Sequence, residues 1–224
     1  PVSGIQDLGT LGGRFSQGIG INARGQITGN SLLPGPEITG RVHAFLWEPT
    51  TGMRDLGTRS GEFSIGNDIN DRGQITGTNQ TSDADFRAFL WDSANGIQDL
   101  GTLGGRYSSG NGINNNGQVV GSSEDANRSE HAFLWDGTSM FDLNGLISPE
   151  AGWTVIRGEA ISDNGQITGI GINPNSQLHA FLLTPVTIAE IPEPGTLALI
   201  AAGCVGLGLV RHRRRRYDDG TIRR

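Results

Sequence analysis

Three short phrases recur in fixed order along the first 185 residues, at a spacing of 43 to 48 residues. Asp-Leu-Gly-Thr begins at Asp7, Asp55 and Asp99, and survives at Asp142 as Asp-Leu-Asn. Ile-Asn-x-x-Gly-Gln-Ile-Thr-Gly and close variants of it occupy residues 21–29, 69–77, 113–121 and 161–169. His-Ala-Phe-Leu-Trp and its variants occupy residues 43–47, 87–91, 131–135 and 179–183. Four copies of one unit predict an array in which each unit packs on its neighbours.

Each phrase is typical of a strand or a turn. The second phrase contains an x-Gly pair between two β-prone runs, which suits a tight hairpin with glycine at positive φ. These pairs are Arg24-Gly25, Arg72-Gly73, Asn116-Gly117 and Asn164-Gly165. In the third phrase Phe45 and Trp47 alternate with Ala44 and Leu46, so this strand is apolar on both faces and is expected to be covered on both.

The segment around residues 53–56 supplies a fourth strand, and no helical periodicity is visible before residue 190. The predicted fold is therefore all-β: a β-propeller-like array of four repeats of about 45 residues, each a four-stranded blade. The fourth repeat lacks its last strand, and the N-terminal segment at residues 4–9 has the sequence of such a strand. We expect it to pair with the last blade and close the ring, which removes an exposed edge. An open stack and a piece of a larger propeller are the alternatives.

The repeated phrases resemble the HAF family of extracellular repeats, which is named for the His-Ala-Phe motif. The resemblance covers nearly everything from Gly4 to Leu183. It implies an extracellular location and a repeated architecture, and it implies little about chemistry.

The repeated polar residues are expected to serve the scaffold. Asp7, Asp55, Asp99 and Asp142 occur once per repeat, whereas calcium needs six to eight oxygens around one point. We expect these carboxylates to accept hydrogen bonds from backbone amides of their own turns. The histidines of the third phrase are not predicted to bind metal, because the second copy has arginine instead. They are His43, His131 and His179, with Arg87 in the second copy.

Aromatic residues stand at or near matching positions of the repeats: Phe15, Phe63, Tyr107 and Trp153. We expect them to pack between blades, and stacking on sugars is the alternative.

The segments that differ between repeats are the candidate binding loops. They join the same two strands of successive blades, so they are expected to emerge on one face and to make it acidic. Their candidate binding residues are Glu37, Asp83, Asp85, Glu124, Asp125 and Glu130. Solvated surface loops are the first interpretation, and a weak calcium site or a cationic polysaccharide is the alternative.

The C-terminal segment combines Pro192-Glu193-Pro194, an apolar run at residues 196–210 and the basic run Arg211, Arg213, Arg214, Arg215 and Arg216. Fifteen helical residues span roughly 22 Å, less than the roughly 30 Å of hydrocarbon, so crossing needs bilayer thinning or snorkelling. The arginines are expected to hold their end in the cytoplasm. The segment resembles the PEP-CTERM sorting tail, which implies export across the inner membrane and processing by an exosortase. Residues 217–224 continue past the point where such tails usually end.

Charge divides the chain at the same place. Residues 1–210 hold ten arginines against 21 acidic residues, a net charge of −11, and residues 211–224 hold seven against two, or +5. An acidic ectodomain argues against nucleic acid as a partner. The single cysteine, Cys204, lies in the apolar run, so no disulfide within one chain is expected. The chain opens at Pro1 without a signal peptide, which predicts a processed or truncated form.

Four segments are predicted: the ectodomain at 1–185, a linker at 186–195, a transmembrane helix at 196–210 and a basic cytoplasmic tail at 211–224. Nothing resembles a nucleophile elbow, a phosphate-binding loop or a helical zinc motif, so no catalytic residue, metal ligand or cofactor is predicted. The expected function is that of an exported, non-catalytic surface or matrix protein in adhesion or exopolysaccharide (biofilm) association. It is expected to be anchored in the inner membrane as a precursor and then to reach the cell surface or the extracellular space. The alternative is a carbohydrate-acting hydrolase that uses loop carboxylates.

Overall fold

The computed structural model describes residues 4–35 and 40–186. Three complete units follow one another, each an antiparallel meander of four strands. Unit 1 contains β1 (Ser16–Ile21), β2 (Ile27–Leu32), β3 (Val42–Glu48) and β4 (Gly52–Gly57). Unit 2 contains β5 (Ser64–Ile69), β6 (Ile75–Gln80), β7 (Phe86–Asp92) and β8 (Gly96–Asp99). Unit 3 contains β9 (Gly104–Ile113), β10 (Val119–Asp125), β11 (Glu130–Trp135) and β12 (Met140–Asp142).

Unit 4 has three strands: β13 (Thr154–Ile161), β14 (Ile167–Ile172) and β15 (Leu178–Leu183). Two short 3₁₀ turns, Leu143–Gly145 and Pro149–Ala151, connect it to unit 3. The predictions of an all-β fold, of hairpins at the second phrase and of strands at the third phrase are confirmed. The glycines of the four x-Gly pairs all have positive φ, between 72° and 82°.

The strands form three sheets. Units 1 and 4 are separate sheets, and units 2 and 3 share one eight-stranded sheet. The link between them is a parallel pairing of β7 with β9 at Phe86 and Tyr107. The first strands of successive units lie side by side, since β1 packs on β5, β5 on β9, and β9 on β13.

In the described part of the chain, the apolar core consists of three clusters, one at each seam between consecutive units. In the third phrase, alanine and leucine face the following unit, whereas phenylalanine and tryptophan face the preceding one. At the first seam, for example, Ala44 and Leu46 of unit 1 pack with Phe89 and Trp91 of unit 2. Phe45, Phe89 and Phe133 have no exposed surface. The prediction that this strand is covered on both faces is confirmed for β3 and β7.

The prediction that the N-terminal segment closes the ring is wrong. Within the described residues, β15 pairs only with β14, and residues 4–9 form no strand and make no backbone hydrogen bond to residues 161–183. Ile5 is fully exposed, and β13 has no packing on β1 comparable to that between the other first strands. The array is open between units 4 and 1.

Among the described residues, no helix has the length and apolar character that a membrane crossing requires. The predicted transmembrane helix at 196–210, the sorting residues Pro192, Glu193 and Pro194, and the arginines from 211 to 216 lie outside the described residues.

Candidate functional surfaces

The hairpin turns and the longer loops lie at opposite strand ends, so the array has two faces that differ in chemistry. The turn face is formed by the hairpin turns at 22–26, 70–74, 114–118 and 162–166. The loop face, at the opposite strand ends, is formed by the loops at 33–35, 40–41, 81–85 and 126–129 with the neighbouring segments at 10–15, 58–63 and 102–107. Of the candidate binding residues predicted from sequence, the five that the structure describes belong to the loop face or to the strand ends beside it.

On the turn face, buried asparagines link each unit to the next. The side-chain amide of Asn22 donates to the backbone oxygen of Asn70 at 2.9 Å. Asn70 donates likewise to Asn114, and Asn114 to Ser162. Each asparagine also accepts the two amides that close its own turn, for instance those of Asn116 and Gln118 at Asn114. This asparagine ladder holds both the turn and the seam.

A second row of bonds runs beside the asparagine ladder, in the same direction. The backbone amide of Ala23 donates to Asp71, that of Asp71 to Asn115, and that of Asn115 to Asp163. The Asn115 amide and side chain lower the pKa of the Asp163 carboxyl below its usual value. Together the two rows line a polar pocket of about 370 Å³ to which all four units contribute.

Both rows stop at the open ends. Ala23 has no side-chain acceptor for the backbone amide of a preceding unit. Ser162 has no side-chain amide that could donate to the backbone oxygen of a following unit. The turn of unit 4 is instead held by the Ser162 hydroxyl, which accepts from the Gln166 amide at 3.0 Å.

Asp68 breaks the symmetry of the first strands, since glycine or alanine stands at the matching positions Gly20, Gly112 and Ala160. Burial raises the pKa of its carboxyl, and hydrogen bonds from the amides of Ile113 and Ile69 act in the opposite direction. Its partner Ile113 belongs to the next unit, so this carboxylate also spans a seam.

The repeated aspartates and histidines serve the scaffold. Each aspartate accepts the backbone amide two residues further on, at 2.7 to 2.9 Å, which confirms the predicted turn role of Asp7, Asp55, Asp99 and Asp142. His43 bonds to Asp55 and His131 to Asp142 through Nδ1, at 2.9 and 2.6 Å. No fourth strand lies beside His179 among the described residues, and its Nδ1 lies 3.3 Å from the side-chain nitrogen of Asn173.

The loop carboxylates meet arginines of the following unit. Asp85 is largely buried, and both Nε and Nη2 of Arg106 lie 2.8 Å from its Oδ1. This contact raises the pKa of the Arg106 guanidinium. Arg87 approaches the other oxygen of Asp85 at 3.5 Å. The expectation of a uniformly acidic face did not include these arginines.

The remaining candidates are more dispersed. Glu130 lies 3.4 Å from Arg157 of unit 4. Asp125 accepts the amides of Ser129 and Asn127, which lower the pKa of its carboxyl. Asp83 contributes a weaker charge effect on Arg106. Glu37 lies outside the described residues.

One loop-face pocket, of about 190 Å³, combines aromatic, basic and acidic groups where units 2 and 3 meet. Its walls include Tyr107, Arg106, Arg128, Asp85 and Glu124. Glu124 accepts the backbone amide of Arg106 at 3.2 Å, so the pocket is held by the same residues that line it. Tyr107 is 37% exposed, which leaves part of its ring open to solvent.

The other aromatics of the repeated positions differ in exposure. Phe63 packs edge to face on Phe86, and Trp153 packs on the core cluster between units 3 and 4. Phe15 is exposed like Tyr107. The described residues contain no cluster of three or more histidine, cysteine or acidic side chains that could hold a metal ion.

Sequence reasoning missed the asparagine ladder and the Arg106 contact. The ladder had a signal, because asparagine follows isoleucine in three copies of the second phrase and serine does so in the fourth. Arg106 had a weaker signal, because Arg14 stands at the matching position of unit 1 but Glu62 stands at that of unit 2.

The fold and these surfaces define an all-β repeat protein whose recurring polar residues join its units to one another. By sequence the chain belongs to the family described as protein of unknown function DUF3466, whose model matches residues 14–179. The resemblance to HAF repeats is not confirmed by this match and stays a prediction.

Residues 190–215 match the PEP-CTERM protein-sorting motif, which confirms the predicted sorting tail. The protein is therefore an exported one, with a tail of the kind that an exosortase recognises.

No curated protein matches the chain. Among solved structures it is similar to a gluconolactonase from Xanthomonas campestris, with 13% identity and a TM-score of 0.42. That match covers 77% of this chain and 63% of the other, so the chain spans less than two thirds of that protein's length. A likeness this distant carries no argument about activity.

Proposed function

We propose that the protein is a non-catalytic, glycan-binding component of the cell surface or extracellular matrix, built as an open, propeller-like array. The sorting motif supports the setting. The observation that carries the binding site is the loop-face pocket, where a half-open aromatic ring stands beside arginines and carboxylates. The histidines and aspartates that recur in each unit are used in scaffold bonds, which favours binding over catalysis.

The ligand that suits this pocket is an exopolysaccharide. The ring of Tyr107 offers an apolar surface for the face of a sugar, and such contacts bind without charge on the ligand. Glu124 and Arg128 offer an acceptor and a donor for hydroxyl groups. Because the Arg106 guanidinium is bound to Asp85, its side chain forms a fixed edge of the pocket.

Replacing Tyr107 by alanine is expected to weaken polysaccharide binding roughly fivefold to tenfold, since an aromatic contact contributes about 1 kcal/mol. The measurement is affinity electrophoresis or a glycan array with the purified full chain. Phe141→Ala is the matched control, because Phe141 is exposed to a similar degree but lies on β12, outside the pocket. Equal loss in both variants, or none in either, would contradict this binding site.

The same samples test the hydrolase alternative. Release of reducing sugar by the wild-type chain that disappears in Glu124→Gln would replace the binding proposal with a catalytic one.

The tail anchors a precursor in the inner membrane, with residues 1 to about 190 outside, until an exosortase-type enzyme cuts near Pro192-Glu193-Pro194. We expect Glu193→Ala to leave the chain full-length and in the membrane fraction, whereas the native protein loses its basic end. Intact mass after cell fractionation measures this, with Thr187→Ala, outside the matched motif, as the control. Recovery of the full-length native polypeptide from the soluble cytoplasm would refute the anchor.

A further inference from the structure

Each end of the array exposes one large apolar residue whose counterparts are buried at the first two internal seams. Ile21 of unit 1 is 68% exposed, whereas its counterparts Ile69 and Ile113 are 4% and 6% exposed. Leu182 of unit 4 is 65% exposed, whereas Leu46 and Leu90 are 6% exposed. The unit 4 end is thus open at Leu182, and the unit 1 end is open at Ile21, whereas Phe45 and Trp47 of unit 1 are already buried.

Among residues 4–35 and 40–186, nothing fills the position at the unit 1 end that a preceding unit takes at the internal seams. At internal seams Gly66 and Gly110 lie so close to Thr28 and Thr76 of the preceding unit that a Cβ would overlap the threonine hydroxyl. At Gly18, the matching position in unit 1, the only atom of the described residues that a Cβ would meet within 4 Å belongs to Ile27 of the same unit. Thr168 of unit 4 is the matching threonine.

A groove of about 380 Å³ lies beside Gly18, at the position that the third strand of a preceding unit occupies at an internal seam. It is lined by residues 5–8, Ser16, Gly18 and Phe45. The Ser16 hydroxyl already donates to the Gly9 carbonyl, as Ser64 does to Gly57. At the internal seam the Ser64 hydroxyl also accepts the amide of Ala44 from the preceding unit's third strand. The matching donor for Ser16 is the amide of Ala180 in β15.

The segment that borders this groove is a strand elsewhere in the chain. Residues 4–13 and 96–105 have the same ten-residue sequence, and Gly96–Asp99 forms β8, which pairs with β7. In that register Leu90 faces Gln98 and Phe89 faces Asp99. If residues 4–9 pair with β15 in the same register, Leu182 lies opposite Gln6. His179 then lies beside Asp7, as His43 lies beside Asp55.

We propose that the protein assembles head to tail, with residues 4–9 of one copy completing the unit 4 sheet of a second copy beside β15. Both halves of the contact are present on each chain, so the interface is heterologous, and repeated contacts give a ring where the rotation closes and a filament where it does not. It buries the exposed isoleucines and leucines of both ends. It lacks the asparagine ladder because Ser162 replaces the donor, and it lacks the second row because Ala23 has no acceptor, so it is weaker than an internal seam and reversible.

The test is a mixing experiment on the full chain in detergent, followed by analytical ultracentrifugation. Ile21→Asp destroys the unit 1 end, and Leu182→Asp destroys the unit 4 end. Each variant alone is expected to lose assembly, and an equimolar mixture is expected to give a dimer and nothing larger, since one intact end remains on each. Leu146→Asp, an equally exposed leucine between β12 and β13, is the control and should assemble like the wild type.

Cysteine trapping checks the register and the identity of the partner. In a Cys204→Ser background, Gln6→Cys with Leu182→Cys should give reducible multimers. A wild-type chain that stays monomeric at every concentration would overturn the proposal. So would assembly that survives in both end variants, as the tail alone would produce, or a cross-link within a single chain.

Discussion

Replacing Gly121 by alanine is expected to lower the midpoint of thermal unfolding by about 10 °C, corresponding to a loss of roughly 3 kcal/mol. Gly121 pairs with Gly110 beside an irregularity in the register of β9 and β10. A Cβ there would overlap the carbonyl oxygen of Ser109 and lie 2.9 Å from the ring of Phe133, which is fully buried. Since the nearest atom belongs to the backbone, relief requires the strands to separate.

Gly145→Ala is the control for this experiment, because a Cβ at Gly145 meets nothing within 4 Å and its φ is not positive. Its effect should remain within about 0.5 kcal/mol. Tryptophan fluorescence during heating measures both variants. Similar midpoints for the two would mean that the strands do not approach each other as closely at Gly121 as the structure shows.

Replacing Asn114 by alanine is the second large effect, with an expected loss of about 3 kcal/mol in the free energy of unfolding, because four hydrogen bonds are lost at a buried site. Two of these bonds close the turn of unit 3, one fixes the side chain of Gln118, and one crosses to unit 4 at Ser162. Alanine leaves the corresponding amides and the Ser162 carbonyl without these partners.

Asn114→Ser separates the two roles of this side chain. In unit 4 the hydroxyl of Ser162 accepts the Gln166 amide of the turn. The Asn114→Ser variant is therefore expected to keep part of its turn and to lose the bond across the seam. We expect it to lose about half as much stability as the alanine variant. Asn127→Ala is the control, since its exposed side chain donates a hydrogen bond to Asp125, at 3.3 Å, and takes no part in the ladder. Urea unfolding measures all three, and an alanine effect no larger than the control would contradict a structural role for the ladder.

Local features of the fold could be predicted because they depend on local chemistry. An x-Gly pair between β-prone runs determines a hairpin, and an alternating apolar strand such as residues 43–47 requires cover on both faces. Asp55 finds its partner two residues away, at the amide of Gly57, so its role was readable from its own phrase.

Contacts between units could not be predicted, because they depend on how one unit is placed on the next. Residues 4–13 and 96–105 are identical in sequence, yet only the second copy forms a strand. The reason is that β7 lies beside the second copy, whereas no described strand pairs with the first. Similarly, Asp85 was identified as a loop carboxylate, but its partner Arg106 comes from the first strand of another unit. The asparagine ladder was overlooked for the same reason, as its acceptors are carbonyls 44 to 48 residues away.

The direction of the asparagine ladder has a consequence for how a gene of this kind can change length. Over the ladder and the second row of bonds together, units 2 and 3 carry donors for the following unit and acceptors for the preceding one, whereas unit 1 lacks the second-row acceptor at Ala23 and unit 4 lacks the ladder donor at Ser162. A duplicated or deleted middle unit therefore meets neighbours that already have matching groups. Whole-unit expansion and contraction need no new recognition chemistry, while exchange of a terminal unit for a middle one leaves a mismatched seam.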